Sequence, residues 1–113
     1  MSQTAMDAAA FTEMKELMGD TFTEIINMCL QSLPEQLAGI ETAISENNAE
    51  HLFNISHKMK SSCGSIGAFG LAKKAEAIEI IGRDGSTDIS AQLIDELRDL
   101  THQVVSILNA ELK

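Results

Sequence analysis

The sequence predicts an all-α fold, an antiparallel up-down four-helix bundle with a short additional N-terminal helix. Three observations carry that expectation. Helix-favouring Ala, Leu, Ile, Met, Glu and Gln dominate the 113 residues, with a single proline. No apolar/polar alternation of strand type persists over six or more positions. Apolar residues recur instead at spacings of three and four, in long runs separated by Gly, Asn and Pro punctuation.

Each element follows from that punctuation. Over about 6–18, Met6, Ala10, Met14, Leu17 and Met18 fall at helical spacing and Gly19 supplies a C-terminal stop. Asp20 is placed to cap a second segment, where Phe22, Ile25, Ile26, Cys29, Leu30, Leu33, Leu37, Ile40 and Ile44 form one stripe. Pro34 lies inside it and predicts a kink. Asn47-Asn48 breaks the chain again. A third helix is expected from about Ala49 to Gly64 or slightly beyond, with Leu52, Ile55, Met59, Cys63 and Ile66 inward, and a fourth near 69–83 with Leu71, Ala75, Ile78 and Ile81. Gly82 to Thr87 reads as a turn, with Ser86 or Thr87 capping a last helix that carries Ile89, Leu93, Leu97, Leu100, Val104, Ile107 and Leu108. Four such helices with short connections close into a bundle, the first short helix lying against one end. One domain over 1–113 is expected, its core bundle over about 20–112.

Composition narrows the function. A net charge of −9 disfavours nonspecific binding to nucleic acid or anionic membranes. Cys29 and Cys63 offer no disulfide framework and no CxxC pair. The N-terminus lacks a signal-peptide pattern, so a cytoplasmic, reducing location is expected. No Glu-x-x-His, HExxH, Walker loop or GxSxG occurs, and no metal or other cofactor is expected. The six methionines read mainly as core filler.

The three histidines are the candidates for chemistry. On the wheel of the third helix, at about 100° per residue, His57 falls opposite the stripe of Leu52, Ile55, Met59 and Ile66. Phe53, Lys60, Ser61 and Gly64, at offsets of −4, +3, +4 and +7, share its face. A solvent-facing imidazole is a nucleophile near neutral pH. Lys60 brings a charge that can neutralise oxygens of a transferred group. Ser61 and Gly64 leave room for a partner surface, and Phe53 is an apolar anchor for one. By spacing alone, an ordinary solvated face with a histidine and a lysine is the better explanation of the wheel. Charge then favours anion handling, because residues 57–83 hold five cations (Lys58, Lys60, Lys73, Lys74, Arg83) against Glu76 and Glu79, a local net of +3. His51, nearer the edge of the core face, reads as structural, and His102 as a solvated side chain.

The segment Ser56-His-Lys-Met-Lys-Ser-Ser-Cys-Gly-Ser-Ile-Gly-Ala-Phe-Gly-Leu71 resembles the signature of histidine-containing phosphotransfer (HPt) domains of multistep two-component relays. His57, Lys60, Ser61, Ser62, Gly67, Ala68 and Leu71 fill its places, Glu79 matches a common downstream acid, and the likeness extends over about 20–110. The resemblance implies a phosphocarrier without autokinase activity; nothing like a kinase domain or a receiver sheet is present, so a free-standing carrier is expected, and a monomer because the bundle can bury its own core. Its partners would be response-regulator receiver domains and a hybrid sensor histidine kinase. His57 Nε2 would take the phosphoryl group from one receiver aspartate and give it to another, the receiver bringing Mg²⁺ and Lys60 screening charge. Ser61 stands where the family usually has glycine. A serine is still small and can donate to a phosphoryl oxygen, so an altered rate or partner preference is expected. Two other classes remain open: a receiver-docking module that passes no phosphate, and a metal or redox bundle.

Overall fold

The computed structural model describes residues 6–112, so residues 1–5 and 113 of the expected domain lie outside it. Five helices follow in order: α1 (Ala8–Met18), α2 (Thr21–Ser45), α3 (Ala49–Ser65), α4 (Phe69–Arg83) and α5 (Ala91–Glu111). The four long ones form a ring of neighbours, α2 on α3, α3 on α4, α4 on α5 and α5 on α2. Short connections make successive helices antiparallel.

The core is the sum of the inward stripes. Ile26, Leu33 and Ile40 of α2 meet Leu52 and Met59 of α3, Leu71 and Ile78 of α4, and Leu97, Val104 and Leu108 of α5, all fully buried. The α3/α4 pair is the tightest crossing, and Gly82 is the reason. A β-carbon there would lie 2.8 Å from the Phe53 amide nitrogen and 3.1 Å from the Ala49 carbonyl oxygen. Only a residue without a side chain lets the two backbones come this close. Ion pairs tie the outer edges, Arg98 to Glu41 at 2.8 Å across α5/α2 and Lys74 to Glu96 at 3.2 Å across α4/α5.

Helix α1 caps one end, as its length and position suggested, but its inward face is rotated. Phe11 is buried and meets Phe22 edge-on, ring centroids 5.2 Å apart, so Phe11, Met14 and Met18 face the bundle. Leu17, expected inward, is instead 86% exposed. Asp7 caps the helix by accepting from the Ala10 amide at 3.0 Å, and the Asp7 amide donates to the Gly67 carbonyl at 2.9 Å, fixing α1 to the α3–α4 turn. Lys15 pairs with Glu111 at the end of α5.

Two helix caps differ from expectation. Asp20 does not cap α2: its backbone is already helical (φ −65°, ψ −28°), so its carboxylate makes no bond back to the first turn. Helix α2 continues through Pro34, which lies on its exposed side, as one element. The cap of α5 is Ser90, whose hydroxyl accepts from the Leu93 amide at 3.1 Å, and not Ser86 or Thr87. Those two hold the preceding loop, Ser86 accepting from the Asp88 amide and Thr87 donating to Asn47. Asn48 caps α3 through the His51 amide at 3.0 Å. Met28 is exposed, an exception among the described methionines, the other four of which sit in or against the core. No helix of the described residues is long and apolar enough to cross a membrane.

Candidate functional site

The site is built where α3 and α4 lie closest. Helix α3 turns its outer face to solvent around His57, whose side chain is 54% exposed. One edge of the imidazole is held: Nδ1 lies 2.9 Å from Oε2 of Glu79 on α4. The other carboxylate oxygen of Glu79, Oε1, lies 2.7 Å from the Lys60 ammonium. Glu76 is a distant second partner for Lys60 at 3.9 Å. A nearly buried carboxylate thus joins the histidine and the lysine.

Opposing influences set the charge of Glu79. Burial alone would push its carboxyl up. The hydrogen bonds and charges of Lys60 and His57 outweigh that and hold it below the usual carboxylate range. An ionised carboxylate can only accept, so the 2.9 Å contact requires a proton on Nδ1. In the neutral ring the lone pair is then on Nε2, the nitrogen not engaged by Glu79.

Phe53, one turn before His57, packs its ring against the imidazole with centroids 6.0 Å apart and planes 21° from parallel. It is half-buried, so it is part of the support of His57 as well as part of the outer face. Ser61 and Gly64 are exposed on that face, and a β-carbon at Gly64 would touch nothing within 4 Å. All five residues singled out by helical spacing are therefore on or beside one surface. The basic island is less free than its composition suggested. Lys60 is paired with Glu79 and Lys74 with Glu96, which leaves Lys58, Lys73 and Arg83 as its exposed cations.

Glu79 is the residue whose position the sequence reading missed. Wheel reasoning on α3 alone cannot see across to α4, and Glu79 entered only as an acid near the motif. A signal was present: with Leu71, Ala75, Ile78 and Gly82 it completes the buried stripe of α4, an acid on an apolar face. His51 is corrected in the other direction. It is exposed: it lies on the polar side of the first turn of α3, with Asn48, Glu50 and Asn54, while Leu52 in the same turn is fully buried. His102 is exposed on α5. Among the described residues no group of three or more His, Cys, Asp or Glu side chains gathers as a metal site. Cys29 and Cys63 are buried free thiols, and burial, with Cys29 nearby, pushes the Cys63 thiol up to about 12.

Comparison with known proteins agrees with this architecture. Over the full length the fold is similar to histidine-containing phosphotransfer protein B (HptB) from Pseudomonas aeruginosa PAO1. That alignment has a TM-score of 0.87 and 21% identity, covering 97% of this chain and 96% of the other. It is also similar to the HPT domain of a sensor hybrid histidine kinase from Shewanella, with a TM-score of 0.79 and 20% identity, covering 98% and 96%. No curated protein matches the sequence. The model of the Hpt domain family matches residues 24–107, which include α3, α4 and most of α2 and α5. The chain belongs to the Hpt domain family, the histidine phosphotransfer modules of phosphorelays.

Proposed function

We propose that His57 is the residue that carries the phosphoryl group, taking it from the aspartyl phosphate of one receiver domain and passing it to the aspartate of another. The observation that supports this most is the tethering of Nδ1 by Glu79 on a ring more than half exposed. It leaves the Nε2 lone pair as the nucleophile and fixes the ring before a partner arrives.

The transfer balances as follows. The Nε2 lone pair forms the N–P bond while the P–O bond to the receiver aspartate breaks, and the bonding pair leaves with the carboxylate. The imidazole keeps its Nδ1 proton and becomes a cation bearing the phosphoryl dianion. Glu79, already facing Nδ1–H, stabilises that positive ring. Lys60, about a third exposed and one turn along α3, adds a positive charge near the incoming phosphoryl oxygens. The return step is the reverse, with a receiver carboxylate attacking phosphorus.

In this reading Phe53, Ser61 and Gly64 form the face on which the receiver docks, since a half-buried ring on one side of His57 and small exposed residues on the other admit a close surface. A hybrid sensor kinase and response-regulator receivers supply and remove the phosphoryl group, and the chain has no kinase activity of its own. The bundle buries its own apolar stripes and acts as a single, monomeric, cytoplasmic domain.

Transfer of label from a phosphorylated receiver to wild type and to His57→Gln tests this. His57 is exposed, so the variant keeps the fold, which circular dichroism checks. Label on wild type alone, lost in acid and stable in base, is expected. Equal labelling of both would overturn the assignment, and receiver binding without any labelling would favour a docking module.

A further inference from the structure

The position of Glu79 decides where on α3 the phosphoryl group comes to rest. Viewed down the helix at about 100° per residue, Lys60 lies about 60° to one side of His57 and Ser61 about 40° to the other. Lys60 contacts Glu79, so α4 is on the Lys60 side. The His57 Nδ1 atom points to that same carboxylate. Nε2, the ring nitrogen that Glu79 does not hold, is therefore the one farther from α4, and Ser61 stands on the opposite flank of α3. Side chains on a helix lean towards its N-terminus, so the Ser61 hydroxyl tilts back over the turn that holds His57, while the His57 ring leans in turn onto Phe53.

The hydroxyl is also uncommitted. Other serines of α3 are engaged: Ser56 donates to the Leu52 carbonyl at 2.6 Å, Ser65 donates to the Ser62 carbonyl at 2.8 Å, and Ser62 accepts from Gln36 at 3.3 Å. Ser61 is exposed and makes no hydrogen bond among the described residues. The Lys60 ammonium, the other donor on this face, is already engaged by Glu79.

We propose that the Ser61 hydroxyl donates a hydrogen bond to the phosphoryl group on His57, beside the charge that Lys60 brings, and that it biases transfer towards the phosphohistidine. The inference rests on His57 as the acceptor. The O–H donates to a phosphoryl oxygen of the product, and no proton or phosphoryl group moves to serine. Because the bond exists only once N–P has formed, it stabilises the phosphorylated chain and leaves the free one unchanged, so the equilibrium shifts and not only the rate.

The test is the partition of radiolabel at equilibrium between a response-regulator receiver domain, charged from a hybrid kinase and ATP, and wild type, Ser61→Ala or Ser61→Thr. The equilibrium constant between free phosphorylated species does not depend on how tightly the proteins dock, so a purely docking role for Ser61 would not move it. Ser61→Ala is expected to lower the ratio of phosphohistidine to phosphoaspartate by roughly three- to tenfold, the range of one hydrogen bond to a charged group at an exposed position. Ser61→Thr, which keeps the hydroxyl, is expected to restore it to within about twofold. A labelled wild type with the same ratio in Ser61→Ala overturns this inference alone. An unlabelled wild type overturns the acceptor assignment and this inference with it.

Discussion

Replacing Glu79 by glutamine removes one charge from the centre of the site while keeping its volume. At 2.7 Å the Lys60–Glu79 pair has a gross attraction of about 6 kcal/mol at an effective dielectric constant of about 20. Burying the carboxylate takes back several kcal/mol of that. Lys60 and His57, each partly exposed, regain water when the charge is lost. The expected net loss of stability is therefore only about 1–2 kcal/mol, below that for breaking a fully buried pair. The chemical effect is larger. A glutamine can turn its N–H to the Nδ1 lone pair, which places the proton on Nε2 and blocks the nucleophile. It also leaves the phosphorylated ring cation without a counter-charge. Transfer to His57 should slow by about 10- to 100-fold, as expected for about 1.4–2.7 kcal/mol of barrier.

The pH dependence separates the two effects. Because the folded state holds Glu79 below the usual carboxylate range, its contribution is present above that range and is lost as pH falls through the depressed value. Urea unfolding between neutral and acid pH should show a steeper acid loss in wild type than in Glu79→Gln. Single-turnover transfer at pH 7 gives the rate. A rate within about threefold of wild type, with the Nδ1–H form still seen by nitrogen NMR, would refute the role of the carboxylate.

Two other substitutions separate fold from function. Gly82→Ala gains up to about 1 kcal/mol of helix propensity, but its β-carbon meets backbone at 2.8 Å, where overpacking costs about 1–3 kcal/mol. Backbone cannot yield as a flexible side chain does, so a net destabilisation of about 1–2 kcal/mol in urea unfolding is expected, with slower transfer because Phe53 moves with α3. Gly64→Gln meets open space and should raise helix stability by a few tenths of a kcal/mol, while calorimetry should show receiver affinity at least tenfold weaker. Unchanged affinity would remove Gly64 from the docking face.

The fold was legible where one helix could be read by itself. The stripes of Phe22 to Ile44, Leu52 to Ile66 and Leu97 to Leu108 gave the long helices, and the breaks at Asn47-Asn48 and Gly82–Gly85 gave their order. Caps were harder to assign because Asp20, Ser86 and Thr87 have the right chemistry, and only the path of the backbone decides among such residues. The phase of α1 depended on Phe11 finding Phe22, a contact between helices. The site divides in the same way. His57, Lys60, Ser61, Gly64 and Phe53 share one helix, and helical spacing brings them together. The bridge through Glu79 spans 22 positions and two helices, and only the α3/α4 crossing at Gly82 reveals it.

The most direct test of the central claim is phosphorus and nitrogen NMR of the phosphorylated chain, labelled at histidine. One phosphohistidine is expected, at His57, with phosphorus bonded to Nε2 and a proton retained on Nδ1. Phosphorus on Nδ1 of His57, or on His51 or His102, would contradict it.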